Sequence, residues 1–262
     1  MFAIERYEAI LAILNEKGNV TISELAQTFN VSTETVRKDL MFLEKEKKLV
    51  RTHGGAVCTV KRKMFRPLKE RVKSFAAEKR ELSQYACEFL ENDDTIAIDE
   101  GSTAIEFAKV VLNKNLRLRV VTHSMDVFNI LSQNSKIEII LCGGEYVKEE
   151  NAFAGVMTME MAKSIYTNKA FIFPSAISLE FGMSMYQSEY KFLEIEKMYV
   201  KNTDKVFILA DSKKFEKKAF IKSFDLSKKY TYVTDSALDG KVYNLYKKSG
   251  LDIIKGREES GR

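Results

Sequence analysis

The first 57 residues place apolar and polar positions in the spacing of two short helices. Thr21 and Glu24 stand in the T-x-x-E relation of a capping box, which predicts a helix whose apolar positions extend to Phe29. After a two-residue turn, Ser32 is positioned to cap a second helix over residues 33–47. Two helices joined by so short a turn cross steeply. The second therefore presents its N-terminal end outward, as helices that enter a DNA major groove do.

A glycine hairpin follows the second helix. The pattern predicts a strand at residues 49–53, a turn at Gly54 and Gly55, and a returning strand at residues 56–58. A hairpin in this position is the wing of a winged helix-turn-helix. We therefore predict a DNA-binding domain over residues 1–57.

From about Ala76 the pattern changes to short apolar runs that alternate with helical stretches. The runs lie at residues 95–99, 118–122, 137–142, 170–173, 206–210, 230–234 and 251–254. The helical stretches lie at residues 103–112, 126–131, 156–165, 189–200 and 238–248. This alternation predicts a Rossmann-like, mostly parallel α/β sheet, covered on both faces, over residues 76–255. The polar tail, residues 256–262, is expected to fray.

Charge distinguishes the segment between the two predicted domains. The net charge of +5 is modest, so the placement of the basic residues matters more than their sum. Residues 61–73 carry seven Lys and Arg side chains against Glu70 alone. This composition predicts a basic linker over residues 58–75. Such a linker either contacts DNA phosphates or is simply solvated, and both alternatives stay open.

Composition excludes several other classes of protein. No apolar run reaches the roughly 18 residues that a membrane span needs, and the N-terminus lacks the pattern of a signal peptide. We therefore expect a cytoplasmic protein with no membrane partner. The three cysteines are widely spaced, and only two histidines accompany them. Neither a disulfide framework nor a zinc site fits this usage, so we expect no metal and no cofactor.

Polar residues and glycines follow four of the predicted strands. Ligands bind beyond the carboxyl ends of the strands in an open parallel sheet. The candidates at these ends are Asp99, Gly101, Ser102, Thr103, Thr122, His123, Gly143, Gly144, Asp211 and Lys214. The segment 101–103 opens a predicted helix whose free N–H groups suit an anion, although an ordinary capped turn is the alternative. The four ends together favour a phosphate site.

Two N-terminal motifs and a series of strand-end residues give the chain a family resemblance. The motifs are T-V-R-K-D-L at residues 35–40 and R-T-H-G-G-A at residues 51–56, a highly specific combination. The matching C-terminal positions are Asp99, 101–103, Thr122, 143–144, Gly155, 211–212, 214–215 and 234–235. In these positions the chain resembles the DeoR family of bacterial transcription regulators along almost its whole length.

The resemblance implies a winged helix-turn-helix joined to a sensor domain that is similar in fold to ribose phosphate isomerases. It also implies a repressor whose DNA affinity is switched by a phosphorylated sugar or sugar derivative. The chain departs from the family at His123, where Asn is usual, at Asn168, where Asp is usual, and at residues 173–176, where a glycine-containing segment is usual. The anion-binding half therefore matches the family, whereas the half that would recognise the sugar does not.

The expected DNA contacts lie in the helix-turn-helix and the wing. They are Thr21, Ser32, Thr33, Thr35, Arg37, Lys38, Arg51 and His53. Solvated helix charges are the alternative for Arg37 and Lys38, and a hairpin hydrogen bond is the alternative for His53. His123 is either a structural residue at a strand end or a pH-sensitive ligand contact.

These features predict a transcriptional repressor of a carbohydrate-metabolism operon rather than an enzyme. Its expected partners are double-stranded operator DNA, a phosphorylated sugar and further copies of itself, because so small a DNA-binding domain covers few base pairs. A transcriptional activator with the same parts is the first alternative. The second is an isomerase-like enzyme that uses Asp99, Glu100 or Asp211 in acid–base chemistry.

Overall fold

The chain forms two compact units, residues 1–65 and 66–262. The computed structural model describes residues 3–17, 19–46, 48–52, 54–58 and 67–256. His53, residues 59–66 of the predicted linker and residues 257–262 of the predicted tail lie outside the described residues. Within the described ranges, no helix has the length and apolar character that a membrane crossing requires.

The N-terminal unit is a winged helix-turn-helix. Its elements are α1 (Ala3–Lys17), β1 (Asn19–Thr21), α2 (Ile22–Phe29), α3 (Thr33–Lys45), β2 (Leu49–Thr52) and β3 (Gly55–Cys58). The three strands form an antiparallel sheet in the order β1-β3-β2. The predicted helix-turn-helix and wing are confirmed, whereas α1 and β1 were not predicted from the sequence.

The capping residues define where α2 and α3 begin. The Thr21 hydroxyl accepts a hydrogen bond from the Glu24 N–H at 3.2 Å, and the Thr21 N–H donates to the Glu24 carboxylate at 3.0 Å. Asn30 ends α2 in the left-handed conformation, with a φ of 51°. The Ser32 hydroxyl then accepts from the Thr35 N–H at 3.0 Å. Because these side chains cap N–H groups of the first turns, both helices start where the sequence predicts.

A buried ion pair joins α1 to α3. Arg6 donates from Nε to Asp39 Oδ2 at 2.5 Å and from Nη2 to Asp39 Oδ1 at 3.0 Å. The two side chains are only 9% and 5% exposed. They lie in a core that also buries Ile10, Val36 and Leu40. The bidentate hydrogen bonding offsets the desolvation of the two charges, and it holds α3 in one orientation against α1.

The C-terminal unit alternates strands and helices. Its helices are α4 (Leu68–Lys73), α5 (Ala76–Ala86), α6 (Ser102–Leu112), α7 (Met125–Leu131), α8 (Val156–Lys163), α9 (Leu193–Lys201) and α10 (Gly240–Lys248). Its strands are β4 (Asp94–Ile98), β5 (Leu118–Thr122), β6 (Ile137–Leu141), β7 (Glu145–Val147), β8 (Ala152–Ala154), β9 (Thr167–Ile172), β10 (Ala176–Ser178), β11 (Gly182–Met185), β12 (Thr203–Leu209), β13 (Ile221–Phe224), β14 (Tyr230–Thr234) and β15 (Asp252–Lys255).

Seven strands form one parallel sheet in the order β15-β14-β12-β9-β4-β5-β6. Every pairing within this sheet is parallel, which confirms the predicted fold class. From β4 the chain proceeds to β5 and β6 on one side, whereas β9 lies on the other side of β4. The strand order therefore reverses between β4 and β9. In open α/β sheets, the crevice beyond the strand ends at such a point is where ligands bind.

Both faces of the parallel sheet are covered. Along β4, Ile96 and Ile98 pack with Phe107 of α6 on one face, whereas Ala97 belongs to the core on the opposite face with Tyr199 of α9. This alternation follows from the period-two geometry of a strand. Continuous apolar runs are therefore needed in the central strands, which is the pattern that the sequence shows.

Several short elements were not predicted. The hairpin β7-β8 and the small sheet β10-β11-β13 stand apart from the parallel sheet. Helix α4 lies within the segment that the sequence predicts as linker. The stretch predicted as one helix over residues 189–200 begins as a 3-10 helix at Gln187–Phe192 and continues as α9. The unpredicted strands are only three or four residues long, which is too short for periodicity to identify them.

Removing Arg6 should destabilise the N-terminal unit. The Arg6→Ala change leaves the buried Asp39 carboxylate without this guanidinium, and we expect the free energy of unfolding to fall by about 3–5 kcal/mol. Calorimetric unfolding of the full chain measures this loss. Replacing the pair together, by Arg6→Met and Asp39→Leu, should cost much less because no buried charge remains.

Arg119→Ala is the matched control, since Arg119 pairs with Glu138 on the surface. An exposed pair contributes less than about 1 kcal/mol. Equal losses for Arg6→Ala and Arg119→Ala would contradict a stabilising role for the buried pair.

Candidate functional site

The first two turns of α3 present an exposed polar face. Thr33, Arg37 and Lys38 are exposed there, while Val36 and Asp39 of the same turns are buried. The Arg37 guanidinium lies 3.3 Å from the Glu34 carboxylate, and both side chains are more than half exposed, at 53% and 64%. Such a surface pair is weak and easily exchanged for another anion. This face can therefore offer two cations to a phosphate or a base edge.

Four of the predicted DNA contacts make hydrogen bonds or ion pairs within the N-terminal unit. The hydroxyls of Thr21 and Ser32 cap α2 and α3, and the Thr35 hydroxyl lies 2.8 Å from the Ser32 hydroxyl. Arg51, on β2, donates its backbone N–H to Glu44 at 3.0 Å, and its guanidinium lies 3.9 Å from the same carboxylate. Contact of these residues with DNA stays a prediction, as it does for Thr33, Arg37 and Lys38.

The N-terminus of α6 lies directly after the central strand β4. Gly101 occupies the N-cap position with a φ of 109°, a conformation that favours glycine, and no side chain caps the helix there. Ser102 and Thr103 form the first turn and are buried. The uncapped N–H groups and the positive end of the helix dipole suit an anion.

Lys214 reaches this helix N-terminus from a different strand end. Its ammonium lies 3.5 Å from the Thr103 hydroxyl. Lys214 belongs to a short 3-10 helix after β12, where the Asp211 carboxylate accepts from the Lys213 N–H at 3.1 Å. Burial lowers the pKa of Lys214, although Asp211 and Glu189 oppose that effect. The structure thus brings Gly101, Ser102, Thr103 and Lys214 together.

A group of buried carboxylates, here called the carboxylate cluster, lies at the same end of the sheet. Its members are Asp99, Glu100, Glu150, Glu189 and Glu196, each no more than 6% exposed. Asp99 and Glu100 follow β4, Glu150 lies between β7 and β8, and the last two come from the 3-10 helix and α9. The five carboxylates are close enough to repel one another.

Burial and this repulsion raise the pKa values of the cluster. Burial raises the pKa of Asp99 to about 7, with further repulsion from Glu189 and Glu150. The pKa of Glu150 also rises to about 7 through burial, although Arg71 lowers it. Burial raises the pKa of Glu100 and of Glu196 well above the ordinary glutamate value. A buried carboxylate without a full counter-charge favours its neutral form.

Arg71 of α4 is bound to two members of the cluster. Its guanidinium donates to the Glu150 carboxylate and, at 3.3 Å, to that of Glu189. Lys79 of α5 donates to the carbonyls of Arg71 and Ser74, which holds the C-terminal end of α4 in place. Burial lowers the pKa of Lys79 to about 8. Helix α4 is therefore anchored both through its side chain and through its backbone.

His123 lies behind Asp99 and is fully buried. Its Nε2 atom is 3.6 Å from Asp99 Oδ1, and its Nδ1 atom is 3.3 Å from the Tyr199 hydroxyl. Burial lowers the pKa of His123 to about 3, so the ring is neutral at neutral pH. The neighbouring Thr122 is also fully buried, and its hydroxyl accepts from the Ser124 N–H at 3.1 Å. Contact of either side chain with a ligand stays a prediction.

Gly143 and Gly144 pack against the beginning of α8. The Thr158 hydroxyl donates to the Gly143 carbonyl at 3.0 Å. A Cβ atom at Gly144 would lie 2.2 Å from that hydroxyl oxygen and 2.6 Å from the Ala154 carbonyl oxygen. The glycine at position 144 is therefore required for close packing, and a ligand contact there stays a prediction.

Five charged residues of this region were not predicted as site residues. They are Arg71, Lys79, Glu150, Glu189 and Glu196. Arg71 was assigned to the basic linker, and the glutamates follow no long apolar run. No local pattern identifies them, because their proximity results from the short elements α4, β7 and β8.

Comparison with known proteins connects both units to one family. Residues 6–62 match the DeoR-like helix-turn-helix domain, and residues 74–236 match the DeoR C-terminal sensor domain. The chain is 33% identical to the lactose phosphotransferase system repressor of Lactococcus lactis, over 81% of this chain and 83% of that protein. It is 31% identical to the L-fucose operon activator of Haemophilus influenzae, over 89% of this chain and 92% of that protein.

A solved structure resembles part of the chain. Ribose 5-phosphate isomerase A from Neisseria gonorrhoeae is 16% identical and covers 52% of each chain, with a TM-score of 0.39.

The Asp99→Asn change should alter how stability depends on pH. Asp99 has a pKa of about 7 in the folded chain and of roughly 3.9 when unfolded. The stability contributed by its protonated form is complete below the unfolded pKa and is lost as pH rises through the folded pKa. Asparagine stays neutral throughout. Relative to wild type, the variant should therefore gain on the order of 4 kcal/mol between about pH 4 and pH 7.

Urea unfolding at several pH values measures this difference. Asp225→Asn is the control, because Asp225 is 86% exposed and pairs only with a surface lysine. Parallel stability curves for wild type and Asp99→Asn would show that the Asp99 carboxyl is ionised in the folded chain like an ordinary aspartate.

Proposed function

We propose that this chain, which belongs to the DeoR family of transcriptional regulators, represses an operon of carbohydrate metabolism until a phosphorylated sugar or sugar derivative binds. The observation that carries the effector half of the proposal is the 3.5 Å approach of the Lys214 ammonium to Thr103 at the uncapped N-terminus of α6. Members of the family are regulators, so an isomerase-like activity is set aside.

Helix α3 is the proposed recognition helix. Thr33, Arg37 and Lys38 share its exposed N-terminal half, which is the part of a second helix that contacts base edges in helix-turn-helix proteins. The wing strands β2 and β3 follow α3 directly, and Arg51 lies on the first of them. Cations at these positions would bind phosphates and orient the helix in the groove.

The strand ends support a phosphate site. The first turn of α6 has no side-chain cap and carries the hydroxyls of Ser102 and Thr103, and the Lys214 ammonium lies 3.5 Å from the Thr103 hydroxyl. Backbone N–H groups, hydroxyls and an ammonium can all donate hydrogen bonds. A phosphate carries a charge of about −1.5 to −2 at pH 7 and accepts several such bonds. The site also lies at the reversal of strand order, where a ligand contacts several elements at once.

Self-association and a cytoplasmic location complete the proposal. A helix-turn-helix regulator binds two half-sites related by symmetry, which requires at least two copies of the chain. The cytoplasm is the compartment that contains both the operator DNA and phosphorylated sugars.

Activation is the second candidate function. The relative from Haemophilus influenzae is named as an operon activator, so this architecture is compatible with either sign of regulation. Mapping the bound promoter site relative to the polymerase site distinguishes the two, because a repressor occupies a position that blocks polymerase.

The Arg37→Ala variant should bind operator DNA more weakly. The expected loss is about 1–3 kcal/mol if Arg37 contacts a base, and the salt slope should fall by about one if it contacts a phosphate. Fluorescence anisotropy on the operator, first isolated by selection from genomic fragments, measures both quantities. Lys218→Ala removes one positive charge from the other unit and should leave both unchanged. Wild-type affinity and salt slope in Arg37→Ala would remove Arg37 from the DNA contacts.

The Lys214→Ala variant should keep its operator but lose its response to the effector. Lys214 supplies the ammonium of the proposed phosphate site and lies in a different unit from α3. The phenotype is a repressor that stays bound when the phosphorylated sugar is added. The exposed neighbour Lys213 provides the control, since Lys213→Ala removes the same charge from the same 3-10 helix. Equal release by wild type and Lys214→Ala would place the phosphate elsewhere.

A further inference from the structure

If all five carboxylates were ionised, the carboxylate cluster would carry more negative charge than its described neighbours neutralise. Five carboxylates lie within the range of mutual repulsion, and the nearby described cations are Arg71, Lys79 and Lys214. The Lys79 ammonium is bound to backbone carbonyls of α4, and that of Lys214 lies beside Thr103. Arg71 is therefore the cation that bonds directly to cluster members among these three.

Arg71 already supplies one positively charged side chain to the cluster. The Arg71 guanidinium contacts Glu150 and Glu189, and Glu189 also accepts hydrogen bonds from the Ser175 hydroxyl at 2.8 Å and the Tyr186 N–H at 2.8 Å. This half of the cluster is well supplied with donors. On the β4 side, Arg71 lies close enough to Glu100 to lower its pKa, but burial and the neighbouring carboxylates raise it further.

Unpartnered polar atoms mark the β4 side of the cluster. Asp99 Oδ1 and Glu100 Oε2 are buried and have no hydrogen-bond partner among the described residues. The same holds for Nε2 of the fully buried His123, which points toward Asp99 Oδ1 from 3.6 Å. Glu150 Oε1 is likewise unpartnered. A buried polar atom without a partner costs free energy, so these atoms indicate a donor group that binds there.

We propose that the effector is an aminated sugar phosphate, whose ammonium group binds Asp99 and Glu100 while its phosphate binds residues 101–103 and Lys214. This inference rests on the proposed function and narrows its ligand class. The two subsites are adjacent in the chain, because residues 99–100 lead directly into the first turn of α6. One hexose-sized ligand can therefore contact both.

Charge decides between an ammonium and a hydroxyl group. Hydroxyl donors would satisfy the unpartnered oxygens without adding positive charge, so burial would continue to favour the protonated carboxyls of Asp99 and Glu100. An ammonium group would instead favour the ionised carboxylates and would offset the charge of about −1.5 to −2 that the phosphate brings. An ammonium supplies three donors together with a positive charge. Hydrogen bonds between charged groups are also stronger than those to a neutral hydroxyl.

Matched ligand pairs test the inference on the full chain. Titration calorimetry at pH 7 compares glucosamine 6-phosphate with glucose 6-phosphate, and likewise the corresponding galactose and mannose pairs. The N-acetylated sugar phosphates are the uncharged controls, because their nitrogen is an amide. In at least one pair, we expect the amino sugar phosphate to bind at least about tenfold more tightly than the matching hydroxyl and N-acetyl compounds. Magnesium chloride alone tests whether the cluster instead binds a metal ion.

The Glu100→Gln variant tests the location of the amine. It preserves shape and removes one carboxylate, so the preference for the amine should fall strongly while binding of the hydroxyl ester persists. Asp99→Asn is the second variant, to be used if Glu100→Gln does not fold, and the same loss of the amine preference is expected. Glu180→Gln is the matched control, because Glu180 is 81% exposed and pairs with Lys218 away from the cluster. It should keep the full preference.

Each outcome bears on one claim. Equal or tighter binding of the hydroxyl ester by wild type would overturn the amine inference and leave the proposed function standing. An unchanged amine preference in Glu100→Gln would overturn the assigned subsite. Stabilisation by magnesium that Glu100→Gln abolishes would make the cluster a metal site and overturn the inference. Absence of binding by every phosphorylated sugar would contradict the proposed function itself.

Discussion

The contact of Arg71 with Glu150 and Glu189 is the interaction on which the arrangement of the sensor site depends. It joins three short segments, α4, the β7-β8 hairpin and the 3-10 helix before α9, none of which belongs to the parallel sheet. Removing one partner from a buried pair leaves an uncompensated charge and typically costs several kcal/mol. The cost of separating these charges therefore holds the segments over the strand ends, where the sheet alone would leave an open edge.

The same constraint explains why the charge state of the site is sensitive to its surroundings. Burial raises the pKa values of Asp99 and Glu150 to about 7, so their ionisation lies near neutral pH. A cation or a proton can then neutralise the cluster at little cost, whereas an added anion is accepted only beside Lys214 and the α6 N-terminus. The site is thus divided into a half that favours anions and a half that favours cations.

Sequence patterns predicted the parts of the molecule that depend on local chemistry. The capping residues Thr21 and Ser32 determine where α2 and α3 begin, and the apolar runs identified all seven strands of the parallel sheet. The strand-end pattern also predicts Thr103 and Lys214 in one site, and the Lys214 ammonium lies 3.5 Å from the Thr103 hydroxyl. Arg71 and Glu150 were missed, because 79 positions separate them along the chain and no apolar period marks either segment. Their contact is a product of tertiary packing alone.

Helix α4 links the carboxylate cluster to α5. It is the first described element after residues 59–66, and it is bound to the cluster through Arg71 and to α5 through Lys79. A ligand shifts a conformational equilibrium only by the difference in its affinity for the two states. A cation that binds the cluster would weaken the electrostatic attraction between the cluster and Arg71. A phosphate beside Lys214 would instead add negative charge and so strengthen the attraction between the site and its cations. If the proposed effector binds both halves of the site, it changes the free energy of the α4 contacts, and by linkage any change in those contacts changes effector affinity by the same amount.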